Sequence, residues 1–469
     1  MRYKVKGDGL MTNTKNNEFL GTEPVGRLLF KLALPTITAQ IINLLYNIVD
    51  RIYIGHMEGI GELALTGVGV CMPLIMIISA FAALISASGA PRSSIFMGQG
   101  DRDSAERTMG TCFLMQTIVS VILTVIILIF HRPLLLAFGA SENTIKYAAE
   151  YMQIYSVGTL FVQLTLGMNA FITAQGFAKM SMLTVMIGAG ANIILDPIFI
   201  FAFDMGVSGA ALATVISQGI SCAWVIFFLS SKNSILRLKR STLRLDMKLL
   251  LPCIALGIAP FIMQSSESII SICFNTSLRT YGGDIAVGAM TVLTSVMQFA
   301  MLPLQGLAQG SQPIVSYNYG AGNKDRVKSA FRILLVSSLI YSMTLWALIM
   351  IFPQVFATIF TQNEAYIEFT AKVLPIYCGV LGIFGIQIAC QMTFVALGKA
   401  LSSMIVAIMR KFVLLLPLIY ILPLFFDGAD KTTAVYLAEP IADTLAVTFT
   451  AILFAIQFKK ALREIDKKI

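Results

Sequence analysis

Apolar blocks long enough to cross a bilayer recur roughly every 35 to 40 residues along this chain of 469 residues. A membrane helix needs about 20 predominantly apolar residues to traverse about 30 Å of hydrocarbon, so this rhythm predicts about a dozen spans. The composition agrees: 57% of residues are hydrophobic and 13% charged, against roughly 45–50% and about 25% in soluble proteins. A transmembrane β-barrel is excluded, because its strands alternate apolar and polar positions and runs such as 117 to 130 do not. The fold class is therefore an all-α integral membrane protein with 12 transmembrane helices.

The expected spans are 28–54, 63–90, 110–131, 147–173, 180–203, 207–230, 249–274, 284–310, 329–352, 366–394, 401–425 and 432–457. Of the Lys and Arg residues outside them, 24 fall in the two termini and the even-numbered loops, and 4 fall in the odd loops. Basic residues resist translocation, so both termini and the linker 231–248 are expected on the cytoplasmic side of the membrane. This rule explains the net charge of +9 without nucleic acid, although the linker is also placed to touch anionic headgroups. The polar segment 1–27 reads as a cytoplasmic tail and 458–469 as a basic tail. The seven cysteines lie in or at the ends of apolar blocks, and His56 and His131 fall at helix-loop junctions. Neither a disulfide framework nor a metal centre is expected.

An internal repeat appears when residue n is laid against n+222. GQGDRDSAERTM from residue 98 faces GAGNKDRVKSAF from residue 320, Ile154-Tyr155 faces Ile376-Tyr377, and Ala174 and Gly176 face Ala396 and Gly398. Toward the start the offset becomes 217, pairing Leu34-Pro35 with Leu251-Pro252. Two six-helix bundles follow, 28–230 and 249–457. An even number of spans per half gives both halves one orientation, the arrangement of parallel-repeat transporters, with a substrate cleft between the halves.

Ionisable groups in hydrocarbon are costly, so each is expected to face protein or a water-filled cavity. On span 1, Asn43, Tyr46, Asn47 and Asp50 share one helical face. Span 5 places Asn192 and Asp196 one turn apart, and Pro197 frees a carbonyl near residue 193. Thr214 on span 6 lies at compatible depth, so these residues suit one oxygen-rich pocket. Two carboxylates in a low-dielectric pocket repel, which favours capture of a proton or a small cation such as transient Na+. Asp50, Asp196, Asn192, Thr214 and Tyr46 are the candidate cation-coupling residues, and no cofactor beyond the coupling ion, H+ or Na+, is expected. A structural alternative has Asp50 paired with Arg51 and Asp196 capping a kink.

Span 7 carries Gln264, Glu267, Ser268, Ser271 and Asn275 as a polar stripe, with Glu267 as far past Pro252 as Asp50 is past Pro35. The counterparts of Asn192 and Asp196 are Leu414 and Leu418, so the second half does not repeat the two-aspartate pocket. Its ionisable set is Glu267, Glu439, Asp443 and Arg410, a network that suits structure or function, with Lys411 also deep. Glu439 and Asp443, one turn apart, can share one guanidinium. Candidates for the cavity surface are Gln163, Asn169, Met290, Thr294, Gln298, Gln387 and Gln391, each with interhelical hydrogen bonding or packing as its alternative. Pro35 and Pro197 are expected to bend their helices.

These residues resemble the multidrug and toxin extrusion (MATE) family, in particular its bacterial DinF-like and MepA-like branch. The stretches that carry the resemblance are NIILDPIFIFAFDMGVSGAALATVISQ at 192–218, ALPTITAQIINLLYNIVDRIYIG at 33–55 and LAEPIAD at 437–443. The resemblance carries the family's N-terminal cation network onto Pro35, Tyr46, Asp50, Asn192, Asp196 and Thr214, with Asn169 bordering the central cavity. It implies a multidrug efflux antiporter of the plasma (inner) membrane, working by alternating access of the two bundles. Its partners would be amphipathic or cationic organic compounds and the lipid bilayer, with no nucleic acid, and it would work as a monomer. Glu267 matches the acid that NorM-type sequences carry in span 7, but their span 10 aspartate is absent here, where Gln387 and Gln391 stand.

Other classes fit less well. A flippase for lipid intermediates, or a metabolite exporter of the same superfamily, is the main alternative, but a flippase calls for a more basic cavity. The 92–109 loop lacks the GxxxDRxGRR pattern of major-facilitator transporters. No DDxxD acids for diphosphate chemistry and no Walker lysine accompany the Gly-rich turns, so neither an enzyme nor an ATP-driven pump is expected.

Overall fold

The computed structural model describes residues 19–359, 364–428 and 430–466. Helices α1 to α3 are Val25–Gly55, Gly61–Gly98 and Arg102–Ala137. The fourth, α4, is the bent pair Ile145–Val157 and Thr159–Ala174, turned by 57° at Gly158; α5 is Ala178–Ala202 and α6 is Gly206–Ser230. A 74-residue helix, Met247–Gly320, is broken at Gly283 (φ 66) into α7 (247–282) and α8 (284–320). The remaining spans are α9 (Lys324–Ile351), the bent pair α10 (Glu364–Tyr377 and Leu381–Ala396, 49°), α11 (Ala400–Phe425) and α12 (Asp430–Asp466). Twelve helical spans result, and no strand occurs among the described residues.

The repeat is visible in backbone conformation. Gly100 and Gly322 have φ 79 and 78, Gly176 and Gly398 have 86 and 70, and Gly206 and Gly428 have 56 and 54; each pair is 222 residues apart, and each glycine reverses the chain in the left-handed region that a Cβ disfavours. The bends of α4 and α10 fall at equivalent points. Helix starts follow the local chemistry: Asp101 accepts from the Ser104 N–H at 3.0 Å ahead of α3, and Asp246 from the Lys248 N–H at 3.0 Å ahead of α7.

One apolar core lies within the second half, around Phe274, Leu293, Phe384 and Tyr436, and another within the first, around Ile78, Met152 and Val207. A third is built from both, with Leu28, Leu32 and Ala178 against Leu307, Ile314, Val327 and Ala396. This shared core sits at the end carrying the basic loops. Lipid offers no hydrophobic drive for helix association, so close packing through small residues must supply it. Gly98 lies on the Tyr317–Ala321 backbone and its repeat partner Gly320 on the Ile95 backbone; Gly306 meets Ile37, Gly310 meets Ala33, and Gly257 meets Leu84. On α3, by contrast, Val121, Ile122, Val125 and Ile129 are exposed, a helical stripe suited to lipid.

The structure adds detail to several expectations. Part of the N-terminal tail is integral: Leu20 is buried, and its carbonyl accepts from Asn318 Nδ2 (2.9 Å) and Arg326 Nη2 (3.1 Å). The linker is docked on the first half. Gln175 Oε1 accepts from Ser234 Oγ (3.0 Å) and the Leu236 N–H (2.8 Å), while Glu106 takes the Arg237 N–H (3.1 Å) and Lys239 Nζ (2.6 Å). The basic tail continues α12 as helix to Asp466. His131 lies inside α3, which runs on to Ala137, with Nδ1 2.9 Å from the Leu128 carbonyl oxygen. Pro35 stands within an uninterrupted α1, whereas Pro197 ends the α-helical part of α5 and a π-helical turn, Ile198–Ala202, follows; the missing proline N–H breaks the hydrogen-bond ladder there.

Candidate functional site

Two polar clusters lie within the spans, one in each half. In the first, α1 supplies Tyr46 and Asp50, α5 supplies Asn192 and Asp196, and α6 supplies Thr214. Asp196 is 0% and Asn192 1% exposed. Asn192 Nδ2 donates to Asp196 Oδ1 at 3.1 Å, as their spacing of one turn allows. The carboxyl groups of Asp50 and Asp196 lie within hydrogen-bonding reach of each other. Asp50 Oδ1, Asp196 Oδ2 and Asn192 Oδ1 are all shielded and receive no N–H or hydroxyl donor. Arg51 is exposed, and no ion pair joins it to Asp50 among the described residues. Thr214 donates to the Ala210 carbonyl at 3.0 Å.

Tyr151 and Tyr155 were not among the expected site residues. Both are buried on α4, with rings stacked 5.9 Å apart; Tyr151 lies within electrostatic range of Asp50, and Tyr155 of Tyr46. Their spacing of one turn is the signal in the sequence that could have found them. The cluster is thus two acids and one amide walled by three tyrosines. Three of its acceptor oxygens are shielded and without a donor, an arrangement whose chemistry suits a proton or a small hard cation.

The second-half cluster is internally satisfied. Arg410 Nε donates to Asp443 Oδ1 at 2.7 Å and Nη2 to Glu439 Oε1 at 3.1 Å, with the guanidinium 4.6 Å from the Phe384 ring centroid. Lys411 Nζ donates to Glu267 Oε1 at 2.7 Å. Arg410 and Lys411 sit in a π-helical turn, Met409–Leu415, which re-aims successive side chains.

The proposed cavity residues divide. Asn169 donates to the Ser181 carbonyl at 3.3 Å and keeps a shielded, unpaired Oδ1, and Gln298 is exposed on α8. Gln163 is fully buried and tied to the Ile78 carbonyl at 2.7 Å, and Met290 is 4% exposed in the second-half core. Neither reaches a cavity surface. Gln163 satisfies a carbonyl of α2 from within the first half, and the thioether fills space among Leu293, Val373 and Tyr377. Gln387 and Gln391 are also buried, the latter bonded to Ser403.

Comparison with known proteins accords with this architecture. The chain is 24% identical over 421 residues to the multidrug export protein MepA of Staphylococcus haemolyticus, covering 90% of this chain and 92% of that one. It is 22% identical over 430 residues to MepA of Staphylococcus aureus, covering 92% and 94%. Its fold matches a crystal structure of MATE in the bent conformation with a TM-score of 0.90 at 22% identity, covering 97% of this chain and 100% of that one. A MOP superfamily transporter from Pyrococcus furiosus, described as having a binding pocket of reverse polarity, matches with a TM-score of 0.88 at 23% identity over 96% and 99%. The MatE family profile matches twice, at residues 35–198 and 258–421, once in each repeat and over more than half of the sequence, so this chain belongs to the MatE family.

Proposed function

We propose that the protein is a multidrug efflux transporter that expels amphipathic, often cationic, organic compounds while H+ or Na+ moves inward. The observation that carries the coupling is the Asp50–Asp196–Asn192 cluster, whose three shielded acceptor oxygens lack donors. Holding that arrangement empty and fully charged in a low-dielectric site is unfavourable, so helix packing around it differs between the loaded and empty states. Loading from outside would tighten α1 against α5 and α6 and drive release of the organic compound from the cleft. Tyr46 and Thr214 would add oxygen ligands. The shared core and glycine contacts at the basic-loop end support a form closed on that side, which the charge distribution makes cytoplasmic, with both termini there and the protein in the plasma membrane. Rocking of two bundles about this contact would provide alternating access, and one chain would suffice.

Uptake of a fluorescent organic cation into proteoliposomes, under an imposed pH gradient and then an imposed sodium gradient, tests this function. One gradient should drive uptake, and Asp196→Asn and Asp50→Asn should each abolish it while the protein remains inserted and monodisperse. Wild-type rates in both variants would overturn the coupling role.

A further inference from the structure

The two halves handle buried acid differently. In the first, Asp50 and Asp196 have no ion-paired basic residue among the described residues. The second carries its own counter-ions, with three carboxylates set against Arg410 and Lys411. The two cations are not held alike. Arg410 is locked on both sides, its side chain 10% exposed and those of Glu439 and Asp443 6% and 4%. Lys411 is 5% exposed, but the Glu267 side chain it holds is 54% exposed, and only its Oε1 is bonded to the ammonium.

Such a carboxylate cannot face lipid. The neighbouring Ser268 hydroxyl lies 4.0 Å from the sulfur of Met76 in the first half, and Phe81 meets Phe261 edge-on at 5.0 Å. The polar stripe of α7 therefore borders the boundary between the halves. Among the described residues Glu267 combines an accessible carboxylate there with one directly ion-paired cation, Lys411.

We propose that Lys411 is a tethered counter-ion that masks Glu267 from organic cations in the cleft, so that it governs which charges the second half accepts. This rests on the efflux reading. A cationic compound gains the carboxylate only by displacing the ammonium; a neutral one leaves the pair intact. Lys411 acts through Glu267 and need not touch the compound.

The test is binding of tetraphenylphosphonium to the full-length protein in detergent, measured by calorimetry at fixed pH and ionic strength. Lys411→Met should tighten binding at least ten-fold, Lys411→Arg should keep wild-type affinity, and Lys411→Met combined with Glu267→Gln should lose the gain. A gain of affinity is not an outcome of structural damage. Should Lys411→Met fail to give monodisperse protein, Lys411→Gln, which keeps a hydrogen bond but not the charge, must show the same direction. Unchanged or weaker binding in the folded charge-removed variant, or a gain that survives loss of Glu267, overturns the masking role. Gradient-driven uptake by the wild type tests the efflux reading separately: a pump whose affinity ignores Lys411 sinks only the mask, and an unmasked Glu267 in a protein that does not pump sinks only the efflux reading.

Discussion

Replacing Arg410 with Met strands two carboxylates in the protein interior. The guanidinium makes two charge-assisted hydrogen bonds, at 2.7 and 3.1 Å, to side chains that are nearly inaccessible, and stacks 4.6 Å from the Phe384 centroid. Hydrogen bonds to charged groups are worth about 1.5–3 kcal/mol each, and a desolvated cation–π contact about 2 kcal/mol. Breaking a buried ion pair from one side costs about 3–5 kcal/mol, so a loss of about 4 kcal/mol is expected for Arg410→Met. That is roughly a thousand-fold shift in the folded ratio. The damage lies in the orphaned acids more than in the lost cation. A triple variant adding Glu439→Gln and Asp443→Asn should therefore recover at least half of the loss, because uncharged groups of similar shape need no counter-ion. Titration with SDS in mixed micelles, followed by the fluorescence of Trp224 and Trp346, reads this difference. The reasoning fails if Arg410→Met stays within about 1 kcal/mol of the wild type, where only surface pairs are expected to fall, or if the triple variant is no more stable than the single one.

Three further outcomes follow from the packing. A Cβ at Gly310 would sit 2.5 Å from the Ala33 Cα and 2.6 Å from its nitrogen, backbone atoms that cannot step aside; Gly310→Val should part α1 from α8 and cut dye efflux at least ten-fold in inserted protein, and normal efflux would refute the role of this contact in closure. Gln175→Leu removes the acceptor for Ser234 and Leu236, about 2 kcal/mol of linker docking, so trypsin should cut at Arg237 and Lys239 about 30-fold faster; an unchanged cleavage rate contradicts the docking. Thr214→Val deletes a hydroxyl that donates to the Ala210 carbonyl and should weaken cation-driven uptake several-fold while leaving expression level unchanged, and a wild-type ion dependence would remove Thr214 from the site.

Much of the architecture was legible in order and composition. Hydrocarbon thickness dictates the length of each apolar block, and the requirement to satisfy every backbone group makes those blocks helices. The n+222 register survives as three pairs of left-handed glycines and two equivalent bends. Helix ends were read less well, since α3 and α12 run on past the apolar blocks where polar side chains can reach water. Asp50, Asn192 and Asp196 stood out because charge and amide in hydrocarbon need a reason to be there. Gln163 and Met290 were misplaced because an amide that satisfies a carbonyl on a neighbouring helix looks in sequence the same as one lining a cavity, as does a thioether filling a core.

The sequence alone therefore determined span number, common orientation of the halves and which acids lie at depth, since each follows from the solvent the residue meets. Only the tertiary structure decided who neutralises whom. Asp196 faces Asp50 across 146 residues of chain with no ion-paired basic residue among the described residues, while Lys411 reaches Glu267 across 144 residues and Arg410 bridges two acids of α12. Pairing of charges depends on helix rotation and on π-helical turns that shift side-chain direction by a fraction of a turn, and local patterning does not encode those rotations. The division between a half whose buried acids have no ion-paired basic residue among the described residues and a half that carries its own counter-ions arises there.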